Sequence, residues 1–314
     1  RSDGYSLRLK DGQLVVSEYD EDVLARDDWV SDINKGLEEL GTTRDEQDVP
    51  FKGACRAVVP LIEEAARQLQ ARSISEMLPP QGPVKTATVG REDSELRAQA
   101  RRVTEYMNYQ LTEEIEEYPE DTDGMLYYLA LTGTCFRKWY YDETLGRPTA
   151  RFLRLDDYVP AYDALDMQSS RRGTHVIPLT KSQLRCLQRG GVYADVDLAA
   201  SPDRNSEFEA TVDAQVGVDR QAHKGRSEDV VLLEQHRYLD IEGFEDVDET
   251  GAVTGIEMPY IVTVEQGSGT VLSIRRNWKE SDPKYRPLEH IVRWRLLPGL
   301  GFYGLGFIHM LGNI

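Results

Sequence analysis

Near the amino terminus, apolar and polar residues alternate in "YSLRLKDGQLVVSEY", a period that predicts a strand. The period then lengthens. In "DEDVLARDDWVSDINKGLEELG", Leu24, Trp29, Ile33 and Leu37 recur at helical spacing, and Gly41 supplies a stop. A second apolar helix is expected in "ACRAVVPLIEEAARQLQARSISEML". It ends at "PPQGP", Pro79 to Pro83, which cannot be helix interior and reads as an extended connector. Asp93 or Ser94 caps the next helix, where Leu96, Ala100, Val103, Met107 and Leu111 form one stripe and Pro119 marks the end. "MLYYLALTGTC" reads as a buried helix running into sheet.

After Cys135 the period shortens again. "FRKWYYDETLGRPTARFLRL" predicts two strands around a glycine-containing turn, and "LTKSQLRCLQRGG" a short helix with Thr180 and Gln183 at capping-box spacing. Residues 192–227 are polar, loop or weak helix. Four strand candidates follow: "EDVVLLEQHRYLD", "MPYIVTVE", "TVLSIRRNW" and "EHIVRWRLL". In the last, Val292, Trp294 and Leu296 alternate with Arg293 and Arg295, the pattern of a half-buried strand. The chain is therefore expected to be α+β, with a helical part over about 20–132 and a β-rich part over about 133–298.

Charge narrows the function. With 37 Lys+Arg against 55 Asp+Glu, a formal charge of -18, the chain is a poor nucleic-acid clamp, because holding phosphates needs surplus positive charge. That balance does not forbid a surface that DNA passes without sticking. The three cysteines, Cys55, Cys135 and Cys186, are far apart and lack zinc-ligand spacing, so they read as reduced thiols of an intracellular protein. The sequence starts at Arg1 rather than Met and stops within an apolar run, as a fragment would.

Two stretches invite chemistry. Gly299, Gly301 and Gly304 in "GLGFYGLGFIHMLGNI" have dinucleotide-turn spacing and follow a strand-like run. However, the sequence given ends before a ribose-binding acid could appear, the preceding hairpins look antiparallel, and in a chain with 25 glycines the spacing carries little weight. The same uncharged run, Leu296 to Gly312, contains Pro298, several glycines and His309, and is short for a membrane span. The second stretch, "DVDETGAVTGIE", places Asp246, Asp248, Thr250 and Glu257 at calcium-loop positions, with Gly251 at the sharp turn. Its flanks are strand-like where a calcium loop needs helices, so a hairpin turn is the simpler reading. Walker, zincin and nucleophile-elbow patterns are absent, and no catalytic residue or cofactor is assigned.

Three segments together resemble the portal (head–tail connector) proteins of tailed bacteriophages. They are the Pro-rich passage "ISEMLPPQGPVKTATVG", the hairpin series "GIEMPYIVTVEQGSGTVLSIRRNW", and "LLPGLGFYGLGFIHMLGNI", where strands give way to a glycine-rich start of a helix. The resemblance implies a non-enzymatic dodecameric ring of identical subunits at one capsid vertex of the virion, assembled in the host cytoplasm. Its implied partners are the major capsid protein, the large terminase subunit of the packaging motor, head–tail adaptors, and double-stranded DNA passing without sequence-specific binding. No membrane is involved. On this likeness residues 1–298 form the wing and residues 299–314 start the stem helix, with the remaining stem, clip and crown absent from this chain. Phe302, Tyr303, Leu305, Phe307, Ile308 and Leu311 then form a packing surface against neighbouring elements or subunits, and the acidic balance keeps DNA from sticking to the channel. The alternatives are a calcium- or ligand-binding module on residues 246–257 and a nucleotide-dependent enzyme on Gly299–Gly304.

Overall fold

Residues 9–38, 40, 51, 60–91, 93–142, 145–198, 207–216, 229–241, 244–247 and 250–311 are described by a computed structural model. In chain order the elements begin with helices α1 (Leu9–Leu24), α2 (Asp27–Glu38), α3 (Leu61–Met77) and α4 (Ser94–Tyr109). A π-helical turn, Gln110–Glu114, leads to α5 (Tyr118–Thr132). Strands β1 (Thr134–Asp142), β2 (Arg147–Leu153), β3 (Tyr158–Pro160) and β4 (Arg172–Thr180) follow, then α6 (Lys181–Arg189) and α7 (Glu207–Val216). Last come β5 (Asp229–Leu239), β6 (Met258–Glu265), β7 (Val271–Arg276), β8 (Ile291–Arg295) and α8 (Phe307–Leu311). The class is α+β with two antiparallel sheets.

The chain divides into two units built from interleaved segments, Arg1–Glu38 with Arg154–Glu289, and Glu39–Leu153 with His290–Ile314. In the first, strands β3-β4-β5-β6-β7 form an antiparallel meander. Period-two alternation on β5 sends Val231 and Leu233 to one face, where they pack with Val15 and Tyr19 of α1. Val230 and Leu232 go to the other face, with Leu184 of α6 and Tyr193. Charge fixes α1 as well as packing does. Asp22 takes Nε and Nη2 of Arg172 at 2.9 and 2.8 Å, and Glu18 takes Nη1 of Arg237 at 2.7 Å.

The expected amino-terminal strand is helix α1 over its described part. Val15, Tyr19 and Asp22 fall on one helical face and are buried, while Leu14 is 47% exposed, so the helical period matches the face that the sheet covers. The single helix expected over residues 20–41 is broken at Ala25–Arg26. There Arg26 turns inward, donating to Leu155 O at 2.5 Å and approaching Asp156 at 3.7 Å. Leu24 is consequently exposed, while Ile33 and Leu37 are buried. Gly41 lies outside the described residues. Strands β3 and β4 were not foreseen, whereas β6 has the span its sequence predicts.

In the second unit, sheet β2-β1-β8 carries α5, which also packs against α3 and α8. Met125, Leu126, Leu129 and Cys135 form its apolar centre, with Trp294 and Leu296 against them. Residues Thr134 to Lys138 of β1 are buried on both faces, so the strand reads as continuous rather than alternating. Of the β8 residues expected to alternate, Trp294 is half-buried but Val292 is 41% exposed. Pro119 starts α5 rather than ending α4, since its missing N–H costs nothing in a first helical turn.

Candidate functional site

The carboxy-terminal stretch forms a joint on the β1–α5 junction. Helix α5 ends at Gly133, whose φ of 79° places it in the left-handed region and whose N–H reaches Leu129 O at 2.9 Å. The chain returns through β8 and ties itself to that corner. Leu296 N donates to Gly133 O at 3.0 Å, Gly304 N to Thr134 Oγ1 at 2.7 Å, and Leu305 N to Leu297 O at 2.9 Å. The glycines permit this approach. A Cβ on Gly304 would lie 2.6 Å from Gly133 O, and one on Gly306 would meet Leu131 O and Gly133 N. Gly301, the middle glycine of the dinucleotide-like spacing, has nothing within 4 Å of the corresponding position. β8 is also a strand of an antiparallel sheet, not the first strand of a parallel unit, so the spacing serves close packing.

The joint residues divide into covered and open. Phe302 is buried, stacked on Phe136 at 6.1 Å and edge-on to Tyr303 at 5.2 Å. The Arg293 guanidinium lies 4.3 Å over the Phe302 ring and donates to Phe302 O at 2.7 Å. Ile308 is buried too, Tyr303 and Phe307 are half-buried, and Leu305 is 39% exposed. The Leu311 side chain lies outside the described residues. The helix begins at Phe307 rather than Gly299, with Gly306 N donating to His309 Nδ1 at 3.2 Å across its first turn.

Beneath the joint is a polar centre that sequence reasoning missed. Arg137 is fully buried, with Nη2 3.0 Å from Thr122 Oγ1 and 3.4 Å from Asp121 Oδ2, and its guanidinium 4.7 Å from the centre of the Tyr118 ring. Burial pushes the Asp121 carboxyl above its usual value, and the Arg137 charge and the Phe152 N–H only partly offset this. Burial also pushes the neighbouring Cys135 thiol up to about 12. No sequence signal marked Arg137, because its exposure depends on which faces of β1 are covered.

The calcium-like loop connects β5 to β6. A bridge between Val247 and Val253 closes it, and Thr254 Oγ1 lies 2.7 Å from Asp246 Oδ2, which is hairpin geometry. Asp248 lies outside the described residues, while Thr250 and Glu257 lie on the loop. Among the described residues, no group of three His, Cys, Asp or Glu side chains is placed to hold a metal ion. Beside the loop is an open cleft of about 450 Å³ lined by Tyr260, Trp278 and Tyr285, with Glu245, Asp246 and Glu280 among its acids. The signal for it was in the register, which sets Tyr260 opposite Arg276, two residues before Trp278.

Helix α4 differs from the other well-packed elements. Asp93 caps it, accepting from Leu96 N at 2.7 Å, yet it buries no residue. Leu96, Val103 and Met107 of the expected stripe are about 40% exposed, and Tyr106 and Tyr109 more so. No helix among the described residues is long and apolar enough to cross a membrane. No protein-family model matches the chain, and no curated protein matches it.

Proposed function

We propose that the chain is a portal subunit, one copy of a ring at a capsid vertex through which double-stranded DNA is packaged and ejected. The observation that carries this reading is the joint. An antiparallel strand, β8, leaves its sheet through a glycine-rich turn and enters a helix at Phe307, while Gly304 and Gly306 lock that turn against Gly133. A subunit that must hold a channel helix at a fixed angle to a peripheral α+β body needs such a rigid corner. Backbone-to-backbone contact supplies it without a flexible side chain between.

The charge gives the conduit its second property. A formal charge of -18 per copy raises a negative potential around a closed ring, so phosphates are repelled rather than bound and sliding meets few salt-dependent contacts. The capsid protein, terminase large subunit and head–tail adaptors are the partners this reading entails. The loop at residues 246–257 favours no second function, because strands flank it and Thr254 already engages Asp246. Sedimentation velocity of the complete purified chain over a range of concentration and salt tests the proposal. It predicts a discrete species of many copies, and a monomer under every condition would refute it.

A further inference from the structure

We infer that the cleft beside the β5–β6 loop is a binding site for an organic ammonium ion, with Tyr260, Trp278 and Tyr285 as its cation-binding walls. The inference goes beyond the ring reading and does not depend on it. Consecutive rings meet edge to face, Tyr260 with Trp278 at 5.2 Å and 83°, and Trp278 with Tyr285 at 5.6 Å and 73°. Planes at those angles make the corner of a cage, where a stacked trio would cover its own faces. A cage of aromatic faces suits a cation, above all one whose alkyl groups give up little hydration on entry. The volume of about 450 Å³ falls in the range of small-ligand clefts, roughly 300–1,000 Å³.

The chain builds this cage from two anchored walls and one strained one. Tyr260 is buried on β6, and Asn277 N donates to Pro259 O at 3.0 Å, which carries Trp278 past the end of β7 beside it. Tyr285 is 39% exposed, on a turn that Asp282 ties down. Lys284 N donates to Asp282 Oδ1 at 3.1 Å, and Arg286 Nε donates to Asp282 Oδ2 at 2.8 Å. Among the described residues Tyr285 is the one non-glycine residue in the left-handed region, with φ of 47°. A side chain bears that strain only where its surroundings fix it, and here they fix a ring against Trp278.

Charge sets the sign of the ligand. Glu245, Asp246 and Glu280 line the cleft against one cation, Arg276. Asp246 accepts from Thr254 Oγ1 at 2.7 Å, which fixes that carboxylate in the wall. Lys279, Lys284 and Arg286 are close in sequence but do not line the cleft, and Arg286 is held by Asp282. The Arg276 guanidinium lies 5.8 Å from the centre of the Trp278 ring, so the cage already draws a cation, at the far end of the range for such a contact. Arg276 is exposed at its strand end, and an ammonium that sits closer to the rings displaces it into solvent.

The test is isothermal titration calorimetry of the complete purified chain at constant ionic strength. The probes are choline and its neutral isostere 3,3-dimethyl-1-butanol, then the methylamides of acetylated lysine and of acetylated norleucine. At least one cation should bind saturably, about 10-fold tighter than its neutral counterpart. If choline is the tighter cation the ligand is a small quaternary amine, and if the lysine amide is, the ligand is a side chain of a protein; either upholds the site. Trp278→Leu should weaken that binding about 10-fold. Because Trp278 also packs against the core of the sheet, that variant may not fold, and the exposed Arg276→Gln then decides. Removing the competing guanidinium should tighten binding of the cation about 3-fold. Neither cation exceeding its neutral counterpart would overturn the inference, and so would unchanged or weaker binding to Arg276→Gln.

Discussion

Gly306→Ala isolates the joint. The backbone at Gly306 lies outside the left-handed region, so alanine costs nothing in φ and the effect is steric. Its Cβ would meet Leu131 O and Gly133 N and lie 2.6 Å from Leu131 C, all backbone atoms that cannot rotate aside. Overpacking of this kind costs about 1–3 kcal/mol, and contact with backbone puts the cost near 3 kcal/mol. Alanine also stiffens the unfolded chain, offsetting about 0.5 kcal/mol and leaving about 2.5 kcal/mol. For a chain of 314 residues that lowers the melting temperature by roughly 4 °C. Gly301→Ala is the control, with nothing within 4 Å of its Cβ and an expected change under about 0.5 kcal/mol. Differential scanning calorimetry of the two variants in parallel reads the difference. Melting temperatures within about 2 °C of one another would refute the close-packing account. A dinucleotide turn would give a different pattern, since its middle glycine lets the backbone approach the pyrophosphate.

Arg137→Ala leaves Asp121 partly buried without its cation and should cost about 3–5 kcal/mol in urea unfolding, while Arg137→Met, which keeps the stem against Tyr118, should cost less. Equal losses would assign the role to charge alone. Hydrogen bonds from Arg147 at 3.1 and 2.7 Å hold the Glu117 carboxyl below its ordinary 4.5, so the pair's stabilisation is complete above that pH and disappears as pH falls through the depressed folded value. Glu117→Gln should therefore lower stability at neutral pH and converge with the unmodified chain in acid. The effect is small because the side chain is 38% exposed, and a gap independent of pH would contradict the pairing. Iodoacetamide at pH 8 should alkylate the exposed Cys186 and spare the buried Cys135 until the chain unfolds, which peptide mass spectrometry reads directly. Labelling of both at similar rates would mean that the β1 corner opens readily.

Local chemistry was the legible part of this fold. Thr180 and Gln183 announced a capping box, and Asp93 was one of two cap candidates beside Ser94, because each acts on backbone groups within a few residues. Strand β6 was equally plain, being rich in β-branched and aromatic residues and bounded by turn residues. Tertiary contact decided what was missed. Residues 9–24 permitted both alternation and helical spacing, and the choice fell to the sheet face that covers Val15 and Tyr19. Arg137 is buried because both faces of β1 are covered. Three glycines of the joint were visible as a spacing, but the Thr134 partner of Gly304 lies 170 residues away along the chain. The α4 stripe was legible as apolar, whereas its lack of cover could be seen only once the chain was folded.

The central claim is a ring that conducts DNA. Electron microscopy of the complete purified chain tests it most directly, through class averages of particles viewed end-on. The account predicts closed rings of one rotational symmetry around an axial channel, with a wall that carries more carboxylates than basic groups. Monomers at every concentration and salt, or a ring whose channel wall is strongly basic, would contradict it.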